Sequence, residues 1–325
     1  MSRALELLFV VDPVEALVLE TETTLLLVEE AGRRGHDVAI AYVPDLYLRD
    51  REARARTHGL ELGGEGEAPR RVGEPRDRAL ASFDLVLMRK DPPVDVEYHN
   101  ALTVLAPARE EVPVVNDPVG LAISNEKLLP LEIPGAAPPS IVTADPDVIA
   151  AFAREHEDVV VKPLNQFSGY GIARLTTRDS ALDPGAIGAL AAQDGRHVMV
   201  QRFLPEVARG DKRVFVVAGD PLGWVNRVPQ PGSFRANIHQ GARVEATELT
   251  DREREIVAAA APILSERGLE LAGFDFIGGW LTEINVTSPS ALRQIDRVMG
   301  ERLERPLLDW IEARAEEGVR TTLPG

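Results

Sequence analysis

The feature that most constrains this chain is the stretch at residues 273–289, which reads GFDFIGGWLTEINVTSP. Apolar segments flank two glycines at positions 278 and 279, a pattern typical of a β-hairpin. Its polar residues Asp275, Glu283 and Asn285 are unusual, because a hairpin serving only as core would carry apolar side chains there. Glu283 and Asn285 are two residues apart, so on a strand their side chains share a face.

The length of the turn decides whether Asp275 joins that face. A three-residue loop at residues 278–280 would pair Asp275 with Glu283, whereas a two-residue loop would separate them, because a slip of one residue moves every side chain to the other face. We predict that the three polar groups converge on one face. Two carboxylates and an amide oxygen would then form a site suited to Mg²⁺, which binds carboxylates together with nucleotide phosphates. The alternative is a set of solvated carboxylates on an edge strand.

Composition and charge narrow the classes of function. The 325 residues carry a net charge of −16, which argues against non-specific binding to nucleic acid or to an anionic membrane. The chain has no cysteine, which excludes disulfides, thiolate metal sites and a cysteine nucleophile. The apolar run near the start is short and ends at Asp12, so we interpret it as a strand and not as a signal peptide, with the cytoplasm as the expected location.

The first third of the chain predicts an open α/β sheet. Strands are expected at residues 5–11 and 37–43, with a helix at residues 23–34 between them. The charged, glycine-containing residues 49–78 are interpreted as a long surface excursion. A further strand at residues 83–88 leads directly into Arg89 and Lys90, which are candidates for an anion site, since ligands of such sheets bind beyond the carboxyl ends of strands. A solvated turn is the alternative.

The middle of the chain carries further cations in apolar surroundings. Lys162 lies within an apolar strand, where it must either reach solvent or meet an anion. Residues 165–171 are small, polar and glycine-containing, which suits a loop whose amides approach phosphate oxygens, although any hairpin loop can have this composition. Arg213, Arg227 and Arg235 lie on or near predicted strands, a pattern that indicates a clamp for phosphate or carboxylate.

Taken together, these residues resemble the bacterial glutathione synthetases of the ATP-grasp superfamily, over nearly the whole chain. The resemblance is carried by seven motifs: DLYL with EARA at residues 45–48 and 52–55, MRKDPP at 88–93, NEKL at 125–128, KPL at 162–164, GDKR at 210–213, RVPQ at 227–230 and LTEINVTSP at 281–289. It implies an N-terminal open parallel-sheet (pre-ATP-grasp) domain at residues 1–122. It also implies an ATP-grasp domain at residues 123–325, with a small lid subdomain at about 123–200 and a C-terminal α+β catalytic subdomain at about 201–325.

The resemblance also implies roles for individual residues. ATP is expected to be bound by Lys127, Lys162, Ser168, Gly169, Gln201, Phe203, Leu204 and Asp211. The metal, Mg²⁺ or Mn²⁺, is expected on Asp275, Glu283 and Asn285. The catalytic arginines are expected to be Arg213, Arg227, Arg235 and Arg293, and the substrate is expected to contact Arg89, Lys90, Asn237, Thr287 and Ser288.

The implied reaction joins γ-glutamylcysteine to glycine through an acyl phosphate, with ATP converted to ADP and phosphate. The expected partners are therefore small molecules, with neither nucleic acid nor membrane, in a homo-oligomer (dimer or tetramer). Three departures from the family pattern concern the lid and the substrate end: NQFSG at residues 165–169, TETT at 21–24 and QGA at 240–242. They leave open a ligase of the same mechanism for another amino acid or peptide pair, or an ATP-binding relative without turnover.

Overall fold

The computed structural model describes residues 3–17, 22–63, 69–166, 171–176, 197–234, 236 and 241–318. These residues form three β-sheets with helices packed against them. Four residues with predicted roles lie outside the described residues, namely Ser168, Gly169, Arg235 and Asn237. Residues 184–193, whose alanine-rich sequence predicts a small helix, also lie outside them.

The first sheet has seven strands and an open, mostly parallel centre. Strands β1, β2, β6 and β7 are mutually parallel neighbours, and β3, β4 and β5 extend the sheet in antiparallel fashion beyond β2. The elements of this part are β1 Glu6–Val10, α1 Thr23–Arg33, β2 Asp37–Ala41, β3 Leu46–Arg49, β4 Glu52–Glu61, β5 Arg70–Ala79, β6 Leu85–Met88, α2 Val96–Leu105, β7 Val114–Val115 and α3 Pro118–Ile123.

The interpretation of residues 49–78 as a surface excursion is wrong. Most of them form β4 and β5, two ten-residue strands that pair with each other. In β4, the small residues Ala53, Ala55 and Thr57 are buried, and the arginines between them point to the other face. The strand was missed in the sequence because its charged residues outnumber these small ones.

The second sheet has four antiparallel strands in the order β10-β9-β11-β8, and among the described residues one helix packs against it. Its elements are β8 Ser140–Thr143, α4 Pro146–His156, β9 Asp158–Pro163, β10 Ala173–Thr176 and β11 Val198–Arg202. The Asp145 side chain caps α4 by accepting a hydrogen bond from the amide of Asp147, and Pro146 occupies the first helical position, as the sequence predicts.

The third sheet has five antiparallel strands in the order β14-β13-β12-β15-β16. Its elements are β12 Asp211–Val217, β13 Asp220–Val228, β14 Arg243–Glu245, α5 Asp251–Glu266, β15 Leu271–Ile277, β16 Trp280–Asn285, α6 Leu292–Met299 and α7 Glu304–Glu317. A capping box between Thr250 and Glu253 starts α5, as the sequence predicts.

The first and third sheets share their cores. One apolar cluster contains Leu8 and Val10 of the first sheet together with Val216 and Phe274 of the third. The other contains Leu7 and Phe9 of the first sheet, residues of the third sheet, and residues of α7. The second sheet instead has a separate cluster of eight buried residues, namely Ile149, Ala150, Phe152, Ala153, Val159, Val161, Val198 and Val200. Among the described helices none is long and apolar enough to span a membrane.

Candidate active site

The hairpin of β15 and β16 places its acidic residues in register, but by a different route from the one predicted. Ile277 pairs with Trp280, so the turn contains only Gly278 and Gly279, both with positive φ, and the expectation that so short a turn would separate Asp275 from Glu283 is wrong. A β-bulge then restores the predicted pairing of Asp275 with Glu283, because Thr282 is an extra residue between this pair and the pair of Phe276 with Leu281.

Asp275 lies at the centre of a buried ionic cluster. Its carboxylate accepts two hydrogen bonds from Arg213, at 2.6 and 3.0 Å, and forms an ion pair with Arg227 at 2.9 Å. The amide nitrogen of Asn285 donates a further hydrogen bond, at 3.1 Å. Burial opposes ionisation here, yet the two guanidinium groups outweigh it and lower the pKa of Asp275 to about 2.

Asp211 shares Arg227 with Asp275 but has the opposite electrostatic balance. Its Oδ2 pairs with Arg227 at 2.7 Å, while its Oδ1 is buried and has no hydrogen-bond partner among the described residues. Burial, together with the negative charge of Asp275, outweighs the attraction of Arg227 and raises the pKa of Asp211 to about 7. One carboxylate of this cluster is therefore firmly ionised, and the other is partly protonated near neutral pH.

Glu283 meets the first of the two predicted phosphate-binding lysines. The ammonium group of Lys127 lies 3.1 Å from Glu283 and donates a hydrogen bond to the carbonyl of Gln166 at 2.6 Å. Lys127 is buried, whereas the Glu283 side chain is 23% exposed and so faces the opening of the site. The pair links the loop after β9 to the acidic face of the hairpin.

The second lysine lies in the four-stranded sheet. Lys162 donates a hydrogen bond to the side-chain oxygen of Gln201 at 2.9 Å, and the Gln201 amide donates onward to Ser140 at 3.1 Å. Burial lowers the pKa of Lys162. Phe203 and Leu204 directly follow the last residue of β11. Leu204 is buried, and the centre of the Phe203 ring lies 3.7 Å from the guanidinium of Arg174.

The segment after β16, residues 286–292, is held by side chains from five separate places in the chain. Asn116 donates a hydrogen bond to the carbonyl of Val286, Arg89 to that of Pro289 and Arg213 to that of Ser290. The Thr23 hydroxyl accepts from the amide of Leu292, and Glu126 accepts from the amides of Val286 and Thr287. Two arginines predicted to bind substrate or phosphate therefore also hold this segment in place.

The remaining predicted residues lie at the first sheet. Arg89 is buried and donates to the hydroxyl of Thr24 at 3.1 Å, and Lys90 pairs with Asp12 at 2.8 Å. Ser288 has a buried hydroxyl that lies beside the carboxyl of Asp91 and forms no hydrogen bond of full geometry with the described residues. Arg293 extends instead toward α1, where it donates to the carbonyl of Glu22 and pairs with Glu29.

Sequence reasoning gave no role to Glu126 or Asn116. Both are buried polar residues whose side chains bond to backbone groups more than 150 positions away. Only the proximity of Glu126 to Lys127 in the NEKL motif hinted at a place in the site.

The oxygens available for a divalent cation can be identified from these bonds. Within the described residues, the four interactions of Asp275 occupy both of its oxygens, whereas Glu283 Oε2 and Asn285 Oδ1 accept no hydrogen bond. Carboxylate and amide oxygens suit a hard cation. No group of three or more His, Cys, Asp or Glu side chains in the described part of the chain could hold a metal by itself. Two protein ligands, supplemented by nucleotide oxygens, fit the residues present.

Solved structures share this architecture. An ATP-grasp ligase, PsnB, in complex with a minimal precursor matches with a TM-score of 0.61 at 20% identity, covering 94% of this chain and 98% of that chain. D-cycloserine synthetase DcsG matches with a TM-score of 0.66 at 14% identity, covering 94% and 99%. The fold is therefore the ATP-grasp fold.

Sequence relatives define the family within that fold. The models for the prokaryotic glutathione synthetase N-terminal domain and ATP-grasp domain match residues 5–122 and 126–300. A glutathione synthetase from Synechocystis sp. is 38% identical over 95% of this chain and 99% of its own length, and one from Synechococcus elongatus is 39% identical over 97% and 100%. The chain belongs to the prokaryotic glutathione synthetase family, which makes it an ATP-dependent ligase that uses a divalent metal.

Proposed function

We propose that the protein joins the cysteinyl carboxylate of γ-glutamylcysteine to the amine of glycine, forming glutathione while ATP becomes ADP and phosphate. One observation carries this proposal beyond the family assignment. The paired residues Asp275 and Glu283 lie within ion-pairing distance of Lys127, Arg213 and Arg227, so cations and an exposed carboxylate converge on one wall.

The chemistry requires two anions to meet. The dipeptide carboxylate attacks the γ-phosphorus of ATP and ADP leaves, giving an acyl phosphate; the glycine amine then adds to its carbonyl carbon, and phosphate and a proton leave. Two unit negative charges about 4 Å apart repel each other by roughly 4 kcal/mol at an effective dielectric of 20. Buried cations offset this repulsion, so catalysis depends on positioning and electrostatics.

The nucleotide residues follow from this arrangement. We assign Lys127 and Lys162 to the ATP phosphates, because Lys127 is buried, Lys162 is partly buried, and a phosphate could replace their hydrogen bonds to Gln166 and Gln201. We assign Gln201, Phe203, Leu204 and Asp211 to the nucleoside, together with Ser168 and Gly169, which lie outside the described residues. Glu283 and Asn285 would hold Mg²⁺ or Mn²⁺, which neutralises phosphate charge when bound, and Asp275 would join them only by exchanging an arginine contact.

The substrate residues lie at the junction of the first and third sheets. Arg89, Lys90, Thr287 and Ser288 are assigned to the dipeptide, with Arg293 and the two undescribed residues Arg235 and Asn237 completing the set. The buried hydroxyl of Ser288 supports this assignment, because the described residues give it no hydrogen bond of full geometry and such a group is costly to leave unbonded. The proposed domain division is residues 1–122 and 123–325.

The test is phosphate release by purified protein with ATP, Mg²⁺ and defined substrate pairs. Release that requires both γ-glutamylcysteine and glycine supports the proposal. Release with another amino acid or peptide pair only would show that the altered residues 165–169 changed specificity. Binding of ATP without release under any pair would contradict an enzymatic role. We further propose a cytoplasmic location, where ATP is abundant, and a homodimer or homotetramer, which sedimentation analysis would test.

A further inference from the structure

Glu126 is a buried carboxylate to which the chemistry above assigns no role. It is 8% exposed and follows α3 in a turn immediately before Lys127. One of its oxygens, Oε1, accepts three hydrogen bonds: from the amide of Val286 at 2.8 Å, the amide of Thr287 at 2.9 Å and the hydroxyl of Thr287 at 2.8 Å.

The backbone of Glu126 adds a fourth bond to the same strand. Its carbonyl accepts from the amide of Ile284 at 2.9 Å, so Glu126 contacts the hairpin on both sides of Asn285. The next residue, Lys127, forms its ion pair with Glu283 of that strand. Two consecutive residues therefore hold the acidic face and the segment after it in a fixed relation to the buried ammonium group.

Burying a carboxylate destabilises the folded protein unless hydrogen bonds compensate for the lost water. Burial raises the pKa of the Glu126 carboxyl, and the negative charge of Glu283 adds to that effect. An apolar side chain at position 126 would fill the space but would leave two amides and a hydroxyl without a partner.

We propose that Glu126 is a positioning residue, which aligns Lys127 with Glu283, Asn285 and Thr287 so that the phosphate side and the substrate side of the site keep one geometry. It acts through these neighbours and touches neither substrate nor reacting atoms. The expected effect of Glu126 on the reaction rate rests on the proposed function. Its expected effect on the geometry of the site does not.

The test compares Glu126→Ala and Glu126→Gln with Glu270→Ala. Glutamine keeps an oxygen that can accept the same three hydrogen bonds. Glu270 is a comparably buried carboxylate that pairs with Arg314, away from the hairpin's acidic face, so its loss controls for general destabilisation. Three quantities are measured: kcat, the affinity for ATP without turnover, and amide hydrogen exchange in peptides covering residues 284–290.

Glu126→Ala should lower kcat about 100-fold, because misplacement by about 1 Å has that effect. It should also weaken ATP binding through Lys127 and speed exchange at residues 286 and 287. Glu126→Gln should recover kcat to within about tenfold of the wild type. Glu270→Ala should lower Tm yet leave all three quantities near wild type. If Glu126→Ala does not fold, Glu126→Asp replaces it, since its carboxylate falls short by one methylene.

The proposal is overturned if Glu126→Ala leaves exchange and ATP affinity unchanged, or if Glu270→Ala, compared at equal Tm, lowers kcat as strongly. A wild-type protein that shows no turnover would count against the proposed function alone. Exchange and ATP affinity would then decide the role of Glu126.

Discussion

At the scale of single residues, Asp275 and Glu283 occupy neighbouring positions but different environments. Asp275 is buried between two arginines, whereas Glu283 is partly exposed and paired with one lysine. A buried charge that loses its partner is costly, while a partly exposed ion pair contributes little. The two carboxylates should therefore respond differently to truncation.

We predict that Glu283→Ala lowers the free energy of unfolding by only about 1–2 kcal/mol, because the buried Lys127 ammonium group keeps its hydrogen bond to the Gln166 carbonyl, but reduces kcat at least about 100-fold. Asp275→Ala should cost about 3–5 kcal/mol, because two guanidinium groups lose their counter-charge. Urea denaturation and phosphate release measure the two effects. Glu132→Ala, which breaks a partly exposed pair with Arg267 elsewhere, is the control and should leave kcat unchanged. Equal stability losses for Asp275→Ala and Glu283→Ala would contradict the prediction.

Asp211 predicts a dependence of stability on pH. Its pKa is about 7 in the folded protein, against an ordinary value of 3.8, so the folded state holds a proton that the unfolded state has released. The stability gained from this proton is full below the unfolded pKa and is lost as pH rises through the folded pKa. Relative to Asp211→Asn, the wild type should lose about 1–2 kcal/mol between pH 5.5 and pH 8. A difference between the two proteins that is constant over this range, measured by urea denaturation, would be inconsistent with the raised pKa.

The sequence predicted the residue types of the site better than their bonds. The alternation of Glu283 and Asn285 was enough to place them on one face. The contact between Arg213 and Asp275 spans 62 positions and depends on which strand lies beside β15, which no local pattern specifies. The same holds for Glu126, whose partners lie 160 positions away.

At the scale of elements, the hairpin shows how a turn and a bulge together set the register. The tight turn needs positive φ at both glycines, which side chains adopt only with strain. The apolar runs predicted the strands, but a bulge leaves no mark in an apolar-polar pattern. The expectation that a two-residue turn would separate Asp275 from Glu283 was wrong for this reason, although the pair itself forms. The strands β4 and β5 were missed because charge dominated their composition.

We predict that Gly279→Ala lowers the free energy of unfolding by about 1 kcal/mol, because φ is +80° at this position. Gly32→Ala is the matched control. It lies within α1 with no atom within 4 Å of the added methyl group, and it should raise stability by up to about 1 kcal/mol. Both values come from chemical denaturation. Losses of equal size at the two glycines would argue against a strained turn.

At the scale of the whole molecule, the three sheets are not equally supported. Among the described residues, the first and third share two large apolar clusters, while the second has its own cluster of eight residues. The apolar strands 5–11 and 159–163 are equally clear in the sequence. The sequence does not show which of these strands packs against a second sheet, because that depends on how the sheets are arranged in the fold.

We predict that the four-stranded sheet opens before the rest of the protein. Native-state hydrogen exchange in sub-denaturing urea should give amides of β9 and β11 an opening free energy at least about 2 kcal/mol below that of amides in β1 and β15, because the smaller cluster loses less buried surface on opening. Equal opening free energies in all four strands would mean that the molecule unfolds as one unit.

The extra residue in β16 has a consequence for how Glu283 is aimed. Leu281 and Glu283 are two positions apart, so on a regular strand their side chains would share a face. Here Leu281 packs in the core beside Phe276 and Glu283 faces the site, because the unpaired residue Thr282 lies between them. A ribbon lacking Thr282 would still send each side chain to its present side. It would lose the added coiling that a bulge imparts, and with it the bend that sets the angle at which Glu283 approaches Lys127.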